Sequence, residues 1–169
     1  MRQLLPGSMT TSRVGSHIDV TPRLPYNSGL MSDQRITPEQ ASQRLDSEPK
    51  TTYLDVRSVR EFAAGHPPGA VNIPLADHNP FGMMAPNPGF LAAVQATFAT
   101  DASLICGCAA GGRSLKAAQM LAASGYTNTV DMLGGFSGSR NPPVTGWATA
   151  GYPVATDGKT WADVQSELD

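Results

Sequence analysis

Ser103-Leu104-Ile105-Cys106-Gly107-Cys108-Ala109-Ala110-Gly111-Gly112-Arg113-Ser114 is the stretch on which the reading of this chain turns. Its first six residues form an unbroken, mostly apolar run of strand length, the pattern of a strand buried on both faces. Residues 109–113 include two glycines and predict a tight loop. From Ser114 to Ala123, Leu115, Ala118 and Leu121 recur on one helical face until Gly125 stops the helix. Only four residues separate Cys108 from Arg113. So short a loop turns its backbone N–H groups inward around the cysteine sulfur, and Gly111 and Gly112 permit the positive φ that the curl needs. Converging N–H groups make an anion-binding nest, to which the following helix adds the positive end of its dipole. Both effects favour thiolate, the form in which cysteine is a nucleophile. Cys108 is therefore the candidate catalytic residue, and Ala109, Ala110, Gly111, Gly112, Arg113 and Ser114 the candidate substrate-binding set. Arg113 either braces the loop or neutralises an anionic substrate. A free cysteine is often only a small buried hydrophobe. The succession of strand, Cys, two Gly, Arg-Ser and helix favours chemistry.

Outward from this segment the chain alternates strands and helices. Thr37 before Pro38-Glu39-Gln40 reads as an N-cap with Pro at the first helical position, for a helix to about Leu45. Thr52–Val56 reads as a buried strand. Ser58-Val59-Arg60-Glu61 is a capping box opening a short helix, which Gly65 ends before a Pro67-Pro68-Gly69 turn. Ala70–Ile73 follows as a strand, 74–88 as loop, and Pro88–Phe98 as a helix with Phe90, Leu91, Val94 and Phe98 at helical spacing. Thr129–Met132 is a further strand. The expected class is α/β, a small parallel sheet with helices on both faces, which binds ligands beyond the carboxyl ends of its strands. Residues 1–35 have the composition of a disordered tail, a leader or an early start before Met31. The domain is expected over 36–155, and 156–169 as a helical tail, with Trp161, Val164 and Leu168 at helical spacing.

Composition narrows the function classes. The chain has 169 residues, a net charge of −2 and a pI of about 5.9. No basic surface is implied for a phosphate backbone, so nucleic acid is a poor partner. No apolar run approaches the roughly 20 residues of a membrane span, and Leu4-Leu5 before Pro6-Gly7 is no signal-peptide core. The expectation is a soluble, cytoplasmic protein; the few acids and several arginines of the tail leave organellar import as the minor alternative. The two cysteines, Cys106 and Cys108, would have Cα atoms about 6.5–7 Å apart on a strand, at or past the disulfide limit. His17, His66 and His78 show no metal-ligand spacing, so neither metal nor cofactor is expected.

At these residues a resemblance enters. Cys108-x-x-Gly111-x-Arg113-Ser114 resembles the active-site loop of rhodanese-like sulfurtransferases. Asp55-Val56-Arg57, and Glu61-Phe62-Ala63-Ala64-Gly65-His66 running on to Pro74, look like that family's upstream motif. Gly134-Gly135 and Trp147 through Gly151-Tyr152-Pro153 look like its closing motif. The likeness spans about residues 36–155 and is nearest to small plant and bacterial single-domain members. It implies that Cys108 takes the outer sulfur of a small donor such as thiosulfate as a persulfide, then passes it to cyanide, a thiol or a protein acceptor. One departure stands out. The family's Trp usually follows the double Gly by about four residues, whereas residues 137–146 intervene here. The extra length is about eight residues, read either as shaping the site entrance, with Arg140 adding positive charge, or as a tolerated surface insertion.

Arg57, Asp55, Cys106 and Arg140 are the candidates for support, each with a plainer reading. Arg57 either helps anions enter or sits in a surface ion pair, and Asp55 bonds backbone N–H groups of a nearby turn. His66 reads as structural, and Glu61 as the capping-box acid only. Cys106, on the same strand face as Cys108 and one step deeper, is core or a resolving thiol. A Gly134-Gly135 pair by itself is only a turn. Two rival functions remain: a cysteine-dependent phosphatase or arsenate reductase, whose loop carries five residues between Cys and Arg, and a persulfide carrier or binding module without turnover.

Overall fold

A computed structural model describes residues 34–169; residues 1–33 of the expected tail, His17 and Met31 among them, thus lie outside the described residues, whereas Arg35, assigned to the tail by the sequence, belongs to the first strand. In chain order the elements are β1 (Arg35–Ile36), α1 (Pro38–Ser47), β2 (Thr52–Asp55), α2 (Val59–Ala63), β3 (Val71–Asn72), β4 (Ala76–His78), β5 (Met84–Pro86), α3 (Phe90–Thr97), β6 (Leu104–Gly107), α4 (Gly112–Ala123), β7 (Thr129–Met132), β8 (Ser139–Arg140), β9 (Pro143–Val144) and α5 (Trp161–Leu168). The local signals fix the helix starts. Thr37 and Ser58 each accept from the backbone N–H of the third helical residue, and Gln40 and Glu61 reach back to the cap N–H. Each reciprocal pair satisfies two donors that a helix start leaves open.

β1, β7, β6, β2 and β3 lie side by side in that order, and every pairing is parallel. β6 and β7 are buried along their whole length, as continuous apolar runs require. Strand alternation sorts their side chains into two cores. Leu54, Val56, Leu104 and Cys106 face α3, α4 and α5, which supply Phe90, Val94, Leu121 and Val164. Tyr53, Ile105, Val130 and Met132 face α1 and α2, which supply Ala41 and Phe62. Helices thus cover both faces, the α/β arrangement expected of the sequence.

Three elements differ from the sequence expectation. Residues 74–88 are not plain loop, since β4 and β5 pair antiparallel as a hairpin closed by a turn at Asn79. Strands of three residues are too short to show a period. β1 is the second, holding Arg35 and Ile36 in the sheet by parallel pairing with Asp131 and Met132. The third is α4, which starts at Gly112 and so draws Arg113 into its first turn. At the chain's end α5 buries Val164 completely in the first core, and Lys159 accepts from the Asn72 N–H.

Because Val164 belongs to the main core, Val164→Ala should remove about 2 kcal/mol of stability, from two lost methyl groups and the cavity left behind. Urea unfolding followed by circular dichroism should show one cooperative transition at a lower midpoint. An unchanged midpoint would mean that α5 stabilises nothing.

Candidate active site

β6 ends at Gly107, and Cys108 opens the loop beyond the carboxyl edge of the sheet. Gly107 itself can carry no side chain. A Cβ there would fall 1.7 Å from the hydroxyl of buried Tyr53 on the neighbouring strand. Cys108 is 1% exposed, and its Sγ accepts two hydrogen bonds, from the Gly111 N–H at 3.0 Å and the Ser114 hydroxyl at 3.3 Å. Gly111 has φ of +100°, the left-handed conformation that turns the loop back over the sulfur. The backbone N–H that reaches the sulfur is that of Gly111, and α4 opens one residue later, where a helix leaves its first donors unpaired.

The outer side of the loop is held by the chain after β7. Phe136 N–H donates to the Cys108 carbonyl at 2.6 Å, and Ser137 N–H to the Ala109 carbonyl at 2.8 Å. This close approach requires Gly135, whose φ is +59° and whose Cβ would lie 2.3 Å from the Cys108 carbonyl oxygen. The double glycine is therefore more than a turn. It lets one backbone lie directly on another, a contact no local pattern reveals.

Three carboxylate–guanidinium pairs surround the loop. Arg113 donates to both carboxylate oxygens of Glu61, at 2.8 and 2.7 Å. Burial pushes the Glu61 carboxyl up, but the bonds from Arg113 and Ser58 outweigh it and hold the group at about 2. Glu61 is thus more than a cap, and Arg113 braces the loop with both terminal nitrogens engaged. Arg57 is 3% exposed, so it forms no surface pair. It bonds Asp55 at 2.7 Å and the Gly65 carbonyl at 2.7 Å, and lies 4.2 Å over the Phe136 ring. The third pair joins Arg35 to Asp131 at 2.6 Å, and Arg35 also donates to the Gly111 carbonyl at 3.3 Å. Sequence reasoning singled out neither residue.

Residues 37–141 match the Rhodanese-like domain family. The chain belongs to that family. It is 41% identical over 102 residues to Thiosulfate sulfurtransferase 16, chloroplastic, of Arabidopsis thaliana, covering 60% of this chain and 78% of that protein. It is 40% identical over 84 residues to Senescence-associated protein DIN1 of Raphanus sativus, and there spans less than half of the relative, 45%. Among solved structures it resembles Rv0390 from M. tuberculosis, with a TM-score of 0.61 at 28% identity over 73% of this chain and 98% of that one.

Within this rhodanese-like domain the remaining candidates separate. Cys106 lies one step below Cys108 on the same face, fully buried in the apolar core. Burial pushes its thiol far up, reinforced by Asp131 and Cys108. A protonated, enclosed thiol is a poor resolving nucleophile. His66 is also fully buried, stacked on Phe62, with its ring nitrogens at the Phe62 and Asp157 carbonyls. His78 lies on β4 beside Asp77. Arg140 is exposed on β8, and strand alternation turns it away from the cavity of about 230 Å³ that Ser139 and Asn141 line. Among the described residues no cluster of His, Cys, Asp or Glu could hold a metal ion.

Two outcomes follow from this geometry. Gly135→Ala should force the 134–137 turn off the loop, lowering both the thermal midpoint and the yield of folded protein. A melt matching wild type would show the contact to be dispensable. Glu61 has a folded value of about 2 against an ordinary 4.5, so its stabilisation is full above about pH 5 and fades as pH falls toward 2. The deficit of Glu61→Gln, read by urea unfolding, should therefore be larger at pH 7 than at pH 2.5.

Proposed function

We propose that this rhodanese-like protein is a thiosulfate sulfurtransferase in which Cys108 carries sulfur as a persulfide. The observation that carries the reading is the sulfur of Cys108 receiving the Gly111 N–H and the Ser114 hydroxyl inside a loop with four residues between Cys and Arg. Hydrogen bonds of this kind stabilise negative charge on sulfur. The resemblance to Thiosulfate sulfurtransferase 16 supports the choice of donor.

In the first half-reaction the Cys108 thiolate attacks the outer sulfur of thiosulfate. A new S–S bond forms, the bond between the two thiosulfate sulfurs breaks, and sulfite leaves with the electron pair. The anionic persulfide stays beside the Gly111 N–H and the Ser114 hydroxyl that held the thiolate. Cyanide, a thiolate or a protein acceptor then attacks the terminal sulfur, and Cys108 leaves as thiolate. The covalent intermediate splits the transfer into two steps, and the preorganised N–H groups supply the electrostatic help. Arg113, tied to Glu61, contributes by fixing the loop. No cofactor takes part, and the only demand on the compartment is that Cys106 and Cys108 stay free thiols, as they are in this structure.

The narrow ring also argues against phosphoryl chemistry. A phosphoryl group brings three oxygens to the nucleophile, and the bond from Gly111 closes the loop tightly on a single sulfur. The decisive experiment follows thiocyanate formation from thiosulfate and cyanide. Wild type and Cys106→Ser should turn over, and Cys108→Ser should lose at least a thousandfold. Wild-type protein incubated with thiosulfate should gain about 32 Da on Cys108, one sulfur atom. Turnover by Cys108→Ser near the wild-type rate would overturn the assignment.

A further inference from the structure

We propose that Arg35 and Asp131 form a brace that sets the Gly111 N–H on the sulfur of Cys108, making both positioning residues for the loop. Four observations carry this. Gly111 is the loop residue whose N–H reaches Sγ, at 3.0 Å. Its carbonyl, on the other side of the same residue, accepts from Arg35 Nη2 at 3.3 Å. Arg35 is fixed in turn, because its Nε donates to Asp131 Oδ2 at 2.6 Å. Asp131 is completely buried on β7, in register with Cys106 of the strand that leads into Cys108. One guanidinium thus ties the Gly111 end of the loop to an interior strand of the sheet.

The packing agrees with the bonding. A Cβ on Gly111 would lie 3.2 Å from Arg35 Nη2, so guanidinium and loop backbone are in direct contact. The peptide on one side of Gly111 aims its N–H at the sulfur, while the peptide on the other aims its carbonyl at Arg35. Rotation at Gly111 that broke one bond would disturb the other. Asp131 is also a costly residue to keep in a sheet centre. Its Oδ1 has no hydrogen-bond partner, and burial pushes its carboxyl up against the pull of Arg35. Apolar side chains fill the neighbouring positions Val130 and Met132. An acid there makes sense as the anchor for a guanidinium that must reach the loop.

The brace rests on the reading of Cys108 as the reacting thiol, but its test need not. In a Cys106→Ala background Cys108 is the only cysteine, and its alkylation by iodoacetamide at pH 7.5 reports loop geometry whatever the physiological donor. Arg35→Lys keeps a cation for Asp131 but cannot hold Asp131 and the Gly111 carbonyl together. Arg35→Met with Asp131→Asn removes the brace without leaving a buried charge unpaired. Both variants should unfold within a few degrees of their parent, yet show alkylation slowed at least fivefold. With thiosulfate and cyanide, kcat should fall by a similar factor, while the KM for thiosulfate stays within twofold. A role in stability alone would instead leave Arg35→Lys at the parent's alkylation rate and kcat, and that result overturns the proposal. If no variant, the parent included, loads sulfur from thiosulfate while the alkylation rates still separate, the brace stands and the sulfurtransferase reading falls.

Discussion

Two backbone hydrogen bonds organise this site, those from the N–H groups of Phe136 and Ser137 to the carbonyls of Cys108 and Ala109. A peptide that points its carbonyl outward points its N–H the opposite way. By capturing both carbonyls, the turn after β7 commits the first loop peptides to face their donors inward. The capture depends on topology. β7 is the sheet neighbour of β6, so the chain leaving β7 emerges beside the loop leaving β6. It depends equally on Gly135, where any side chain would collide with the carbonyl being captured. Sheet order, one glycine and two bonds together turn a flexible string of small residues into a ring around sulfur.

The charged residues extend the same constraint to three other directions. Arg113 ties the start of α4 to α2 through Glu61, Arg35 ties Gly111 to β7 through Asp131, and Arg57 ties the end of β2 to the Phe136 ring. The most enclosed pair, Asp55 with Arg57, is almost inaccessible to water. Such a pair gives up hydration worth about as much as its attraction, so net stability is a weak reason for its presence. Its value is geometric. Planar guanidinium groups bind carboxylates and carbonyls along fixed directions, and each one here spans two elements that packing alone would leave free to slide.

The parts of the fold that were legible in the sequence are those with a local cause. The buried run before Cys108, the capping boxes at Thr37 and Ser58, and the left-handed Gly111 each act within a few residues, and each appears where expected, whereas Gly112 has no positive φ and already opens α4. What escaped has a non-local cause. Arg35 and Asp131 are 96 residues apart, and Arg113 and Glu61 are 52 apart. Nothing in the spacing of either sequence neighbourhood marks them as partners. Arg57 was misjudged for a related reason. An arginine after a strand ordinarily reaches solvent, and only the folded arrangement of Asp55, Gly65 and Phe136 supplies enough partners to keep it buried. Likewise β4, β5, β8 and β9 are too short for any alternation to stand out from loop.

The segment 137–146 leaves the fold and rejoins it at nearly one point, close to the site. Its base is pinched shut, with Trp147 N–H bonding the Gly135 carbonyl and Ala148 N–H the Phe136 carbonyl, both at 2.9 Å. Gly138 and Gly146 lie close enough that a Cβ on either would strike the other strand of the base. The chain therefore leaves the turn, makes the β8–β9 hairpin and returns to within a hydrogen bond of where it left. Trp147 is delivered to the second core, against Tyr53 and Tyr152, much as a short connection would deliver it. Lengthening a closed hairpin costs little chain entropy, since closure cost grows only with the logarithm of loop length. Phe136 and Ser137 grip the Cys108 loop at the pinch itself, and the β8–β9 hairpin lies beyond both. The same segment can thus vary at its tip, beside the cavity lined by Ser139 and Asn141, while its base keeps the ring around sulfur unchanged.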